Sequence, residues 1–426
     1  MKAHTYFLNL SRKFLISEPK CGRWRLANCQ EQGKNSVFRF RLQLFFTIFA
    51  RMKIAFDAKR AFQNRTGLGN YSRYMLDILC RHFPQHEYVA YAPKQTAEAQ
   101  MQRLMDTHSN LSAAFPEHGQ WPALWRIRGI SCDLVRDGVD VFHGLSGELP
   151  LTIAQSGVPA VVTIHDLIFL RFPQYYAPIS RRIYEFKMRR ACRAAHHIIA
   201  ISECTKRDVV RFFGTDPAKI SVVYQGCDPA FTTVRDVAKE ADVRARYSLP
   251  ERFVLSVGSI EERKNSALLV RALPSLPSDV SLVLVGKRTS YTARVEREAA
   301  AMGVSDRLCV LSSVPFADLP TLYRLASVFA YPSRYEGLGI PVLEAQRSGV
   351  PVLAATGSCL EEAGGDGALY VHPDDPRAAA EALNNLLENA ELRADLLQKA
   401  AVHAACFDEA TQAAQVMRIL ERVAGA

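Results

Sequence analysis

Residues 328–344 read Val328-Phe-Ala-Tyr331-Pro-Ser-Arg-Tyr-Glu336-Gly-Leu-Gly-Ile-Pro-Val-Leu-Glu344. A short, apolar, β-rich run passes into a loop with two glycines and then into a helix start. Val328–Tyr331 is predicted to be a strand. Gly337 and Gly339 permit a tight loop, and Pro341 suits the first turn of a helix, where its missing N–H would be unsatisfied anyway. That helix is expected to run to about Ser348 and to be capped by Gly349, with Glu344 on its first turn. Strand, glycine loop and helix in this order form the repeating unit of an open parallel α/β sheet.

The same unit recurs outward in both directions. Apolar runs separated by helix-length segments fall at Ile54–Ala58, Tyr88–Ala92, Val139–His143, Ala160–His165, Ile198–Ser202 and Val222–Gln225. A second series falls at Phe253–Gly258, Leu282–Gly286, Leu308–Ser312, Val328–Tyr331, Val352–Ala355 and Leu369–His372. Continuous rather than alternating hydrophobicity marks strands covered on both faces. Two sets of six predict two doubly wound, Rossmann-like α/β domains, 52–235 and 236–407, with a linker in Asp228–Leu249. Residues 408–426 follow as a separate C-terminal helix. In such sheets ligands bind beyond the carboxyl ends of the strands, so two domains facing one another define a cleft.

The chain has 426 residues, 48% hydrophobic and 23% charged, which excludes disordered, collagen-like and disulfide-scaffold classes. Its net charge of +10 is concentrated at one end. Residues 1–51 hold ten Lys and Arg against two acids, +8 in all, leaving +2 for the remaining 375 residues. The body therefore lacks the charge of a nucleic-acid binder. Residues 1–51 show no signal-peptide order and read as a basic extension, either upstream of a translation start expected at Met52 or a disordered tail, with a basic membrane or RNA tether as the alternative. The ten cysteines are scattered without Cys-x-x-Cys spacing, which points to a reducing compartment, the cytoplasm.

Four segments beyond the strands carry chemistry. The amides at the start of the helix after Gly339 form an anion site suited to a diphosphate. Glu336 and Glu344 beside it suit hydroxyl recognition, or else solvate the loop and complement the helix dipole. Gly258 and Ser259 turn the chain after the first strand of the second series, and Arg263-Lys264 lie beyond its carboxyl end. Thr66-Gly67-Leu-Gly69-Asn-Tyr71 opens a helix but is no dinucleotide fingerprint, because Ser72 replaces the third glycine. His165 closes a strand at its ligand-facing end, and His143 closes another. No P-loop, Gly-x-Ser-x-Gly elbow or Asp-x-Asp at a strand end occurs, and Asp374-Asp375 reads as a helix-start turn.

Glu336-x7-Glu344 with its Gly-x-Gly loop resembles the E-x7-E motif of the retaining GT-B glycosyltransferases, specifically glycosyltransferase family 4, the group 1 transferases. The resemblance runs from Met52 to the C-terminal helix. It implies that Glu336 contacts the donor sugar and Glu344 the nucleotide ribose. It implies that Arg263, Lys264 and His165 complete the catalytic set. Gly67, Gly69, Gly258, Ser259, Gly337, Leu338 and Gly339 then line the donor site. Ser202-Glu203 with Lys206-Arg207 resembles a family segment of interdomain or acceptor-side structure. Lys287-Arg288 departs from the family's Gly-Asp-Gly-Pro-like turn.

The implied activity is metal-independent, retaining transfer of a hexose, with mannose the first choice. The donor is a nucleotide-diphosphate sugar and the acceptor a glycan or lipid-linked sugar, with no separate cofactor. The base stays open among GDP, UDP and ADP. The alternatives are a nucleotide-sugar 2-epimerase, a sugar phosphorylase or a non-catalytic nucleotide-sugar-binding protein. Ile179–Arg193 is an amphipathic helix with six Lys and Arg. Its apolar stripe either packs inward or rests on anionic lipid at the inner membrane face.

Overall fold

The computed structural model describes residues 15–16, 25–26, 51–64, 67–96, 99–117, 119–232 and 235–425. The chain forms two compact units, Met1–Arg51 and Met52–Ala426. In the first, Leu15–Ile16 and Arg25–Leu26 pair antiparallel. The expectations for the rest of that unit, and for Thr66, lie outside the described residues.

The second unit contains two parallel sheets. In the first, β1 (Lys53–Asp57), β2 (Glu87–Tyr91), β3 (Leu111–Ala114), β4 (Val141–Gly144), β5 (Ala160–Ile164), β6 (His197–Ala200) and β7 (Ile220–Val222) lie in the order β3-β2-β1-β4-β5-β6-β7. In the second, β8 (Arg252–Val257), β9 (Val280–Val285), β10 (Leu308–Leu311), β11 (Val328–Tyr331), β12 (Val352–Ala355) and β13 (Ala368–Val371) lie in the order β10-β9-β8-β11-β12-β13. Each order reverses once, between β1 and β4 and between β8 and β11. A reversal sends successive connections to opposite faces and opens a crevice at the carboxyl ends of that central pair.

Three sequence expectations need correction. The first sheet has seven strands, because Leu111–Ala114 adds an edge beside β2, with Leu111 opposite Tyr88. Its last strand is Ile220–Val222 rather than Val222–Gln225. The segment expected as a linker contains a helix, Val237–Arg246, whose Val243 is buried in the core of the second sheet.

The helices that matter below are α1 (Gly67–His82), α2 (Pro178–Ala194), α3 (Glu203–Phe213), α4 (Ile340–Arg347) and α5 (Glu409–Ala424). The chain returns after the second sheet so that α5 packs on the first. Val416, Met417 and Leu420 of α5 share one buried cluster with Met75 and Leu79 of α1 and Val141 of β4. Gln412 of α5 accepts hydrogen bonds from the Tyr74 hydroxyl at 2.8 Å and the Gly226 amide at 3.2 Å. Among the described residues no helix is long and apolar enough to cross a membrane.

Candidate active site

The crevice of the second sheet gathers the charged groups. Gly258 ends β8 with φ of +143°, a conformation that suits glycine, and its amide donates to Val285 at 2.8 Å. The chain then makes a turn of 3-10 helix at Glu262–Lys264 and enters the next helix through Asn265, held in the left-handed region. Asn265 fastens this turn by donating from Nδ2 to the carbonyls of Pro332, at 3.2 Å, and Pro373, at 2.7 Å. Arg263 and Lys264 are thereby held against the loop that follows β11. Glu336 Oε1 lies 2.6 Å from Lys264 Nζ and 2.7 Å from Arg263 Nη1. Arg263 also bonds Glu261 at 2.7 Å and the Tyr335 carbonyl at 2.8 Å, while Lys264 lies over the Tyr331 ring.

Burial alone would raise the Glu336 pKa, but Lys264 and Arg263 outweigh it and hold the carboxyl at about 2. Burial likewise disfavours the Lys264 ammonium, and Glu336 reverses that effect so that its pKa rises. The trio therefore stays fully ionised at neutral pH and carries one net positive charge, which Glu261 on Arg263 partly offsets. A diphosphate is the kind of anion such a site takes.

The loop after Glu336 leads into α4. Gly339 precedes the helix with φ of +99°, and Pro341 occupies its first turn, as the spacing predicted. Leu338 is buried in the core of the second sheet, so its side chain anchors the loop and only its backbone is left to face a ligand. Glu344 lies beyond the first turn, which contains no acid; the expectation of a first-turn position was one residue short, because the helix begins at Ile340. Glu344 accepts a hydrogen bond from the Tyr323 hydroxyl at 2.7 Å. Burial pushes its pKa up to about 7, against the Tyr323 bond and with help from Asp228. The two glutamates of the motif thus have opposite characters. Glu336 is pinned as a carboxylate, and Glu344 is poised between its two forms.

The first sheet faces this site with His165, just beyond β5. Its Nε2 bonds the Leu145 carbonyl at 2.8 Å, which makes Nε2 the protonated nitrogen and leaves Nδ1 as the acceptor. Burial lowers its pKa to about 4, so the ring is neutral at pH 7. Tyr71 from α1 packs edge-on against it, with ring centroids 4.5 Å apart. Gly69 sits where a Cβ would lie 1.8 Å from the Asn64 carbonyl oxygen, so only glycine fits. A Cβ at Gly67 would meet nothing within 4 Å, so that residue leaves a gap at the start of α1. His143 is a core residue, fully buried and bonded to Thr163 at 2.8 Å.

The two domains meet at Gly337. A Cβ there would lie 2.3 Å from the His165 carbonyl oxygen. Ser202 donates to the Gly337 carbonyl at 2.6 Å, and Thr205 donates to the His165 carbonyl at 3.0 Å. Glu362, from the second domain, accepts the Glu203 and Cys204 amides at 2.6 and 2.7 Å and so caps α3 from across the cleft. Tyr335 donates to Asp208 at 2.6 Å. The Ser202–Asp208 segment therefore joins the domains.

Asp166 was not singled out by the sequence. Burial raises its pKa, the Ile168 amide offsets this at 3.1 Å, and Arg263, Glu336 and Lys264 all act on it across the cleft. The usable signal was an acid directly after His165 at a strand's ligand-facing end. Asn265 and Tyr331, which hold Arg263-Lys264 in place, had no such signal. Ser259 adjoins Gly258 and Lys264 around a small hollow, and Gly286 lies so close that a Cβ would fall 1.8 Å from the Gly258 carbonyl oxygen. Asp375 caps the helix Pro376–Glu388, the structural role its turn suggested. Among the described residues no three His, Cys, Asp or Glu side chains converge as a metal site.

Known proteins resemble this chain in sequence and in fold. Residues 239–403 match the family model for glycosyl transferases group 1, and residues 67–231 match that for glycosyltransferase family 4. The chain is 31% identical over 248 residues to O-antigen chain mannosyltransferase B of Escherichia coli, covering 57% of this chain and 64% of that one. It thus spans less than two thirds of that relative's length. It is 30% identical over 304 residues to a D-inositol 3-phosphate glycosyltransferase of Streptomyces scabiei, covering 66% and 67%. In fold it is similar to Anabaena Alr3699/HepE in complex with UDP, with a TM-score of 0.68 and 19% identity over 87% of this chain and 99% of that one. The two sheets are the GT-B fold, and with both halves matched the chain belongs to the group 1 glycosyltransferases of family 4.

Proposed function

We propose that the protein transfers a hexose, mannose first, from a nucleotide-diphosphate sugar to a glycan or lipid-linked acceptor. Transfer retains the anomeric configuration and needs no metal. The observation that carries this reading is the Arg263, Lys264 and Glu336 cluster beside the Gly337–Gly339 loop, opposite His165. When the glycosidic bond breaks, charge develops on the leaving diphosphate. Two fixed cations and the amides at the start of α4 stabilise that charge without reorganising. Glu336, held ionised, is an acceptor for donor-sugar hydroxyls, and His165 Nδ1 offers another from the opposite wall. With no evident carboxylate nucleophile, front-face displacement is the mechanism, and the leaving phosphate takes the acceptor's proton. The contacts at Gly337 would exclude water and limit donor hydrolysis. Mannose is favoured by the E. coli relative's name, and a nucleoside diphosphate by the UDP in the Anabaena structure. The free thiols fit a cytoplasmic setting.

Thermal shift of the full chain in EDTA with GDP, UDP, ADP and NAD tests the donor site. A ligand at about 100 times its Kd adds about 2.7 kcal/mol of stability. A shift with GDP or UDP that disappears in Arg263→Ala and Lys264→Ala is expected. Silence with every nucleoside diphosphate, or a shift with NAD alone, overturns the reading. Conversion of the donor sugar to its 2-epimer without any acceptor would instead identify an epimerase.

A further inference from the structure

Tyr335 belongs to the second domain, but its side chain is buried in the first. It is 2% exposed and shares one small cluster with Ile168 and Cys204 of the first domain and Cys359 of the second. The Cys204 thiol lies 3.0 Å from its hydroxyl, and Phe172 packs against its ring with centroids 5.4 Å apart. Arg171, in the chain that leads into α2, lies 4.8 Å over the ring centroid.

Asp208 of α3 closes this box. One carboxylate oxygen accepts the Tyr335 hydroxyl at 2.6 Å, and the other accepts Arg171 at 3.0 Å. Burial first, and then Asp208, raise the Tyr335 pKa, so the hydroxyl stays a donor. Asp208 is itself buried, so losing the hydroxyl leaves a buried oxygen unpaired.

The main chain of the same residue faces the catalytic cluster. The Tyr335 carbonyl accepts from Arg263 Nη1 at 2.8 Å. The next residue is Glu336, whose carboxylate holds Arg263 at 2.7 Å and Lys264 at 2.6 Å. The residue before is Arg334, whose amide donates to the Arg263 carbonyl at 2.8 Å. Three consecutive residues thus grip Arg263 through an amide, a carbonyl and a carboxylate. Asp208 in one domain stands two hydrogen bonds from the guanidinium in the other, with a single boxed tyrosine between them. The bonds at Gly337 and Glu362 also join the domains, but of these contacts only Tyr335 leads directly to Arg263.

We propose that Asp208 is a positioning residue for the donor diphosphate, acting through Tyr335 on Arg263. Seating Tyr335 in the first domain fixes the guanidinium, so closing the cleft and completing the anion site are one event. This rests on the donor-site reading above. It adds that affinity for the diphosphate depends on an acid held in the other domain, behind the tyrosine.

Two measurements on the full chain test it, calorimetric titration with GDP and UDP, and hydrogen exchange without nucleotide. Tyr335→Phe keeps the ring and removes only the hydroxyl, and should weaken binding of the preferred nucleotide by about tenfold. Asp208→Ala should do the same, and Asp208→Asn, which keeps an acceptor for the hydroxyl, should recover most of the loss. Arg263→Lys keeps the charge without the planar fork, and in that background Tyr335→Phe should cost almost nothing more. A merely structural role would leave the two effects additive. In the absence of nucleotide, the Arg334 amide should exchange about tenfold faster in Tyr335→Phe, with β8 and β9 unchanged. Three results overturn the proposal: unchanged affinity in Tyr335→Phe, an equal loss in the wild-type and Arg263→Lys backgrounds, or an Arg334 amide that exchanges at the wild-type rate. If the wild type binds no nucleoside diphosphate, the donor-site reading fails, and the Arg334 amide alone decides whether Tyr335 holds Arg263.

Discussion

At the scale of single residues, the two glutamates of the motif make opposite predictions. Glu336 has a folded pKa below the usual 4.5, so its contribution to stability is complete above about pH 4.5 and is lost as pH falls towards 2. The shift corresponds to roughly 3 kcal/mol. Acid unfolding of wild type and Glu336→Gln should therefore converge only as pH falls to about 2. At pH 7 the variant should melt lower, because Arg263 and Lys264 lose their buried partner. Glu344 has a raised folded pKa, so its favourable contribution is complete below about pH 4.5 and is lost as pH rises through 7. Glu344→Gln should consequently gain stability relative to wild type between pH 5 and 8, by up to about 3 kcal/mol. If Glu344 takes the ribose hydroxyls, nucleotide binding favours its carboxylate. Affinity should then rise with pH through 7, with proton release visible by calorimetry in buffers of different ionisation enthalpy. Binding that is flat from pH 6 to 8 would remove Glu344 from the ribose role. The motif spacing pointed to both residues, but not to this difference, which comes from Lys264 and Arg263 at one end and Tyr323 at the other.

At the scale of elements, strands covered on both faces were legible because their apolar runs are continuous. Leu111–Ala114 was not, because an edge strand needs apolar cover on one side only, and Leu-Ser-Ala-Ala gives little pattern. The last strand of the first sheet was displaced because its apolar run continues past the sheet. Tyr224 leaves it to reach Glu362 at 3.3 Å and to pack on Phe407. The contacts between domains were the least legible, since they join residues more than 130 positions apart. They give a prediction that separates binding from turnover. Gly337→Ala would place a methyl group 2.3 Å from the His165 carbonyl oxygen and next to Ile201, with neither Arg263 nor Lys264 among the nearest atoms it meets. Turnover should fall by about tenfold or more, given the sensitivity of catalysis to ~1 Å displacements, while the affinity for nucleoside diphosphate changes little. Glu362→Ala should act similarly by removing the acceptor that the second domain offers the Glu203 and Cys204 amides, and small-angle scattering should report a larger radius of gyration. Equal losses of affinity and turnover in Gly337→Ala would mean that the glycine serves the donor site directly.

At the scale of the whole molecule, sequence order and spatial order part company at the C-terminus. The periodicity of residues 408–426 announced a helix but not its destination, because an apolar stripe does not name the surface that buries it. That surface is the first domain. The chain crosses to the second domain after β7 and returns at Asp408, whose side chain caps α5 by accepting the Thr411 amide at 2.9 Å. Arg81 of α1 meets Glu409 at 2.7 Å, just inside the helix. Ala413, Val416, Met417 and Leu420 are then all buried. Burying three of these side chains, Val416, Met417 and Leu420, contributes about 1.5–3 kcal/mol each, a sum comparable to the whole stability of an ordinary domain. Deleting residues 409–426 should therefore expose the α1 face of the first sheet and leave the protein aggregated, although the deletion removes nothing from the cluster at Glu336. Leu420→Ala is the gentler test, expected to cost about 2–5 kcal/mol. Native-state hydrogen exchange on that variant should show faster exchange in β1, β4 and α1 but leave β8, β9 and β11 protected. Uniform acceleration across both sheets would instead show that the two domains unfold as one cooperative unit, with α5 binding them together rather than completing the first alone.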